Sequence, residues 1–144
     1  MRALVIALLL AVVPHAKAQK VHSGHDLYKL CEAAMEFVAG QIRDFDEARD
    51  TLQEGLNTMQ AASKGVQCFT YLQAVADTAL AVDATLTTRG RERSKTTCPP
   101  EEGGISNQER LMAFMYWAEN HPESLEAPPV FPVMWAYQWR WPCK

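Results

Sequence analysis

The stretch VQCFTYLQAVADTALAVDATL, residues 66–86, decides the fold class. Phe69, Leu72, Val75, Ala76, Ala79, Val82 and Leu86 recur every three or four positions, which repeats one apolar face of an α-helix over several turns. The alanines at 74, 76, 79, 81 and 84 have small side chains that would let a second helix approach closely. The pattern predicts a central helix with other helices packed around it.

Working toward the N-terminus, Leu27, Leu30, Cys31, Ala34, Phe37, Val38 and Ile42 mark the buried face of a first helix starting near Asp26. Between them, residues 44–64 carry a weaker pattern through Ala48, Leu52, Leu56 and Met59, with acids at the start where a helix dipole favours them. That segment reads either as a short separate helix or as an extension of the first, with Gly65 as its stop.

Toward the C-terminus, TTRGRERSKTTCPPEEGG, residues 87–104, is a polar loop of alternating charge. Beyond it, Ser106 stands three residues before Glu109, a capping box, and Leu111, Phe114, Met115 and Ala118 form a buried stripe. Pro122 predicts a stop near Asn120, because a residue before proline is pushed out of helical geometry. A last short helix is expected from about Val130 to Trp139, with Pro132 confined to its first turn and Pro142 closing it. No segment alternates in twos over strand length, so the expected architecture is all-α, a small bundle of four to five helices.

The 144 residues suffice for one domain. Residues 1–18 have the layout of a secretory signal: Arg2, an apolar run from Ala3 to Val13, then Ala16-Lys17-Ala18 at the cut. The run is well short of the roughly 20 residues that span a bilayer, and no later segment is long and apolar enough to replace it. Residues 19–144 are then the mature domain, expected to be exported. Loss of Arg2 and Lys17 moves the net charge from −3 to −5, which gives no electrostatic reason to bind nucleic acid. The four cysteines, Cys31, Cys68, Cys98 and Cys143, all lie in that mature part. An even set in an exported chain predicts two disulfides, with three pairings open.

Together, LYKLCEAA on the first helix, CFTYLQAVADTAL on the second, CPP before a glycine-containing turn, ISNQERLMAFMYWAENHPESL and a final WPC resemble the Rap/Tai family of immunity proteins. The matching positions are Cys31; Cys68, Tyr71, Leu72 and Asp77; Cys98 and Pro100; Gln108; His121, Pro122 and Glu123; and Pro142 with Cys143. Ala74 replaces a usual glycine, the segment between Cys31 and Cys68 is long, and Pro132 with Trp135, Trp139 and Trp141 replaces a plainer last helix. The resemblance implies a periplasmic helical protein that binds a bacterial peptidoglycan amidase delivered by type VI secretion and occludes its cleft. It also implies a homodimer. Among the disulfide pairings, a hairpin of the last two helices would bring Cys98 and Cys143 to one end, which leaves Cys31 for Cys68.

Nothing in the chain spells an enzyme or calls for a cofactor or metal. There is no nucleophile elbow, phosphate-binding loop or H-E-x-x-H, and Asp77 and Asp83 lie about 600° apart on a helix, so they do not share a face. His22 and His25 beside Asp26 read as a solvated tail, and His121 as a helix C-terminal cap. Binding functions concentrate on loops, so the candidate partner contacts are Arg89, Arg91, Arg93, Lys95, Glu101 and Glu102. Trp135 and Trp139, four apart, read as core anchors, while Trp141 need not follow them. The alternative from another class is a periplasmic chaperone-like helical protein or a structural binding protein, loosened in acid through its acid-rich 44–54 segment.

Overall fold

The computed structural model describes residues 20–41, 52–88, 97, 98, 100 and 104–143. Four α-helices follow in order: α1 (Gly24–Gln41), α2 (Leu52–Thr88), α3 (Asn107–Asn120) and α4 (Val130–Arg140), with a 3₁₀ turn (Pro122–Glu126) between the last two. No strand occurs among the described residues. Both disulfides form as the hairpin argument prefers, Cys31–Cys68 with Cα atoms 5.2 Å apart and Cys98–Cys143 at 5.0 Å.

Helix α1 begins earlier than the apolar pattern predicts, because Ser23 caps it. The Ser23 hydroxyl accepts from the backbone N–H of Asp26, and the Asp26 carboxylate accepts in return from the backbone N–H groups of His22 and Ser23. The same device starts α3, where Ser106 and Glu109 satisfy each other's backbone N–H groups as the sequence predicts. These backbone donors, that of His22 foremost for Asp26 and that of Ser106 for Glu109, hold both carboxyls below the ordinary carboxylate range. Both caps therefore stand fully above the unfolded-state carboxylate pKa and weaken as pH falls through the depressed folded values.

The second helix overturns one expectation. Gly65 is not a stop: α2 runs unbroken through it for 37 residues, about 55 Å at 1.5 Å per residue. Glycine inside a helix costs about 1 kcal/mol relative to alanine. Packing offsets that cost, since Gly65 is buried against α1, where an added Cβ would lie 3.6 Å from the Ala34 Cα. One turn along each helix the Cys31–Cys68 bridge closes the same crossing. Residues from Leu52 onward thus belong to the second helix, neither to an extension of the first nor to a separate short one.

The core gathers Leu27, Leu30, Cys31 and Ala34 from α1, Cys68, Leu72 and Val75 from α2, Leu111, Phe114, Met115 and Ala118 from α3, and Val133, Ala136 and Tyr137 from α4. It reaches only as far as Ala79 along α2: Leu80 and Val82 are exposed, as are Ala74, Ala81 and Ala84. Of the alanines expected to admit a neighbouring helix, Ala79 is buried and Ala76 packs against the core, whereas Ala74 is off the buried stripe and Ala81 and Ala84 lie beyond the end of the core. The buried hydroxyl of Tyr137 ties α4 to α2 by donating to the Leu72 carbonyl at 3.0 Å, and burial pushes its ionisation far above the ordinary range. Tyr137→Phe is expected to cost about 1 kcal/mol, the net worth of one such hydrogen bond, read as a lower denaturation midpoint with helix content unchanged.

The start of α1 is seated on the 3₁₀ turn. Gly24 donates its N–H to the Ala127 carbonyl at 3.1 Å, and a Cβ on Gly24 would fall 2.7 Å from the Leu125 Cα and carbonyl oxygen. Backbone cannot yield as a side chain can, so Gly24→Ala is expected to destabilise by about 1–3 kcal/mol despite alanine's better helix propensity. A thermal melt checks this, and a higher melting temperature would contradict the tight seat.

Candidate partner-binding faces

The last helix decides which residues meet solvent. Pro132, Val133, Ala136 and Tyr137 are its buried stripe, which fixes the rotation of everything else on it. Trp135 and Trp139 fall outside that stripe and are 38% and 47% exposed. The expectation that they anchor the core is therefore wrong. Trp141, past the helix end, is buried instead, at 8% exposure, with its ring edge-on to Tyr137 at 5.4 Å.

Trp139 does not stand alone. Its ring lies 4.8 Å from that of Tyr116 on α3, and the two planes are within 12° of parallel. Met112 and Tyr116, one turn apart, occupy the outer face of α3, opposite the Leu111, Phe114, Met115 and Ala118 stripe, and both are about half exposed. With Gln108 and Arg140 they line a shallow depression between α3 and α4. The Arg140 guanidinium lies 5.8 Å from the Trp141 ring centre, close enough for a cation–π contact. Tryptophan, tyrosine, methionine and arginine are the residue types that protein interfaces concentrate and that carry most of their binding energy.

Trp135, one turn before Trp139, continues the exposed face of α4, and a separate apolar groove lies between α4 and α2. Phe131 and Trp135 make a tilted ring pair at 5.9 Å, and Val130 and Met134 border a groove against Tyr71, Val75 and Val82 of α2. This groove has few polar groups, whereas the Tyr116–Trp139 face combines rings with hydrogen-bonding side chains at its rim.

Arg89, Arg91, Arg93, Lys95, Glu101 and Glu102, the contacts read from the sequence, lie outside the described residues. The structure places what flanks and ties that segment. Helix α2 ends at Thr88 before it, Cys98 within it is bonded to Cys143 and donates its N–H to the Trp141 carbonyl at 3.1 Å, and Gly104 after it takes a positive φ of 64°. Cys98 thus fixes one point of the segment beside the end of α4, two residues from Trp139.

The histidines hold local positions. His25 Nε2 is 3.1 Å from Glu126 Oε1, an exposed pair that adds to the seat of α1 on the 3₁₀ turn. The His121 backbone N–H, not its ring, closes α3 by donating to the Trp117 carbonyl at 2.8 Å. Its ring stacks on Trp117 with centroids 4.0 Å apart. The Asp77 carboxylate accepts from Gln73 on the helix surface at 2.7 Å. No group of three or more His, Cys, Asp or Glu side chains among the described residues could hold a metal ion.

Sequence reasoning missed the Tyr116–Trp139 face because it paired Trp135 with Trp139 by their four-residue spacing alone. The competing stripe of Pro132, Val133, Ala136 and Tyr137 was the signal that could have found it. The family model of the Rap1a immunity proteins matches residues 23–143, from the Ser23 cap to the Cys143 bridge. No curated protein and no solved structure is significantly similar to the chain.

Proposed function

The chain belongs to the family of Rap1a immunity proteins, and from that premise we propose that it protects its producer by binding a peptidoglycan amidase toxin delivered by type VI secretion. The family match over residues 23–143 carries this reading. An immunity protein works by stoichiometric binding, so it needs complementary surface and no catalytic constellation. The enzyme is silenced by occlusion: the bound chain covers the cleft that peptidoglycan must enter.

Residues 1–18 serve in this reading as a signal that sends the domain to the periplasm, where the amidase meets its substrate. Two disulfides suit that oxidising compartment. The inhibitory unit is a homodimer, as the resemblance implies, and would bind its target as a 2:2 complex. Two elements make the contact: the Met112, Tyr116, Trp139 and Arg140 face, and the residues Arg89, Arg91, Arg93, Lys95, Glu101 and Glu102.

Affinity capture from the producing strain's periplasm tests the partner. The tagged chain is expected to retain one amidase in a fixed ratio that survives washing in moderate salt. Retention of many unrelated unfolded proteins, together with broad suppression of aggregation at low pH, would support the chaperone-like reading in its place.

A further inference from the structure

The two disulfides differ in access. Both sulfurs of Cys31–Cys68 sit at 0% exposure between α1 and α2. Cys143 is exposed and Cys98 half-buried at the outer end of α4. Thiol–disulfide exchange requires an attacking thiolate to reach a sulfur, so a reductant can open the second bridge while the folded core shields the first.

What the second bridge fastens is the end of α4. Trp141 closes that helix by donating its N–H to the Tyr137 carbonyl at 2.8 Å, and its own carbonyl accepts from Cys98. The bridge lies two residues further on, and Trp139 two residues before, stacked on Tyr116. The last turn of a helix frays unless something ties it. Here the buried Trp141 ring and the covalent bridge beyond it both tie it.

We propose that Cys98–Cys143 is a redox clamp on the Tyr116–Trp139 face. A dithiol of the thioredoxin class attacks one sulfur and forms a mixed disulfide, and its second thiol then displaces the remaining cysteine. The dithiol leaves oxidised to its own disulfide, having passed two electrons and two protons to the bridge, and Cys98 and Cys143 become free thiols. With the clamp open the last turn of α4 is released and Trp139 leaves its stack, while Cys31–Cys68 stays closed and the bundle persists. The binding face is then unset in a reducing compartment and set once the chain is oxidised. The consequence for the toxin rests on the partner-binding role proposed above for that face.

The experiment titrates the mature chain with dithiothreitol, alkylates free thiols and maps them by peptide mass, with near- and far-ultraviolet circular dichroism in parallel. The expected result is labelling of Cys98 and Cys143 at reductant concentrations that leave Cys31 and Cys68 unlabelled. The far-ultraviolet helix signal should be unchanged and the near-ultraviolet aromatic signal reduced. A Cys98→Ser/Cys143→Ser variant should show that aromatic loss without reductant, and in a Trp139→Ala background opening the bridge should change the aromatic signal little. Joint opening of the two bridges, prior opening of Cys31–Cys68, or an unchanged aromatic signal after selective opening would overturn the clamp. Selective opening should also weaken amidase binding by about tenfold, as expected when an aromatic contact is lost, and unchanged affinity would overturn its control of the partner. Failure of the oxidised chain to bind any amidase would count against the proposed function instead, with the thiol map and aromatic signal still deciding the clamp.

Discussion

A Cys31→Ala/Cys68→Ala variant is expected to lose about 4 kcal/mol of unfolding free energy, the chain-entropy value for a cross-linked loop of this length. The bridge spans a sequence separation of 37 residues, and cutting it restores that loop's freedom to the unfolded chain. The folded state suffers as well, since both sulfurs are fully buried where α1 and α2 cross and Ala34 meets Gly65 one turn away. Small domains hold only about 5–15 kcal/mol in total, so the loss is a large share of stability. Denaturant unfolding without reductant measures it. The same change at Cys98 and Cys143 opens a loop of similar size, with a separation of 45, but removes little packing, and should cost less. The opposite order would contradict the buried bridge as the main staple of the fold.

The fold was legible in the chain wherever one face of a helix is buried continuously. The stripe of Leu111, Phe114, Met115 and Ala118 and the capping box before it placed α3, and the even cysteine set with the hairpin argument placed both bridges. Gly65 misled because a glycine reads locally as a stop, and only the approach of Ala34 shows that it makes room for a helix crossing. The start of α1 was missed because Ser23 and Asp26 form a capping pair within a segment that looked like a solvated tail. The tryptophans misled for a related reason: spacing says which residues share a face, but not which face turns inward. That choice is settled by Val133, Ala136 and Tyr137 meeting α2 and α3, a long-range fact absent from any window of ten residues.

Truncating either ring of the exposed pair, by Tyr116→Ala or Trp139→Ala, is expected to weaken toxin binding by at least about 2 kcal/mol, roughly thirtyfold, the scale of an interface hot spot. Folding stability should change far less, because both rings are about half exposed and contribute to the fold mainly through their mutual stack. Such a stack is worth about 0.5–1.5 kcal/mol, so the double variant should lose less affinity than the two single losses summed. Val82→Ala, in the groove between α2 and α4, serves as the comparison and should leave binding near the unaltered value. Arg91→Glu/Arg93→Glu tests the basic segment: weakened inhibition with an intact helix signal would assign part of the contact there. If Val82→Ala weakens binding and Trp139→Ala does not, the contact belongs to the groove between α2 and α4.

The central claim is that this chain neutralises a peptidoglycan amidase by stoichiometric binding. Its most direct measurement is peptidoglycan hydrolysis by each type VI amidase of the producing strain, titrated with the purified mature chain. One of them is expected to lose activity in proportion to added protein and to reach full inhibition at equimolar dose, with that enzyme and the chain co-eluting as one complex. Full activity of every such amidase at equimolar dose would contradict it.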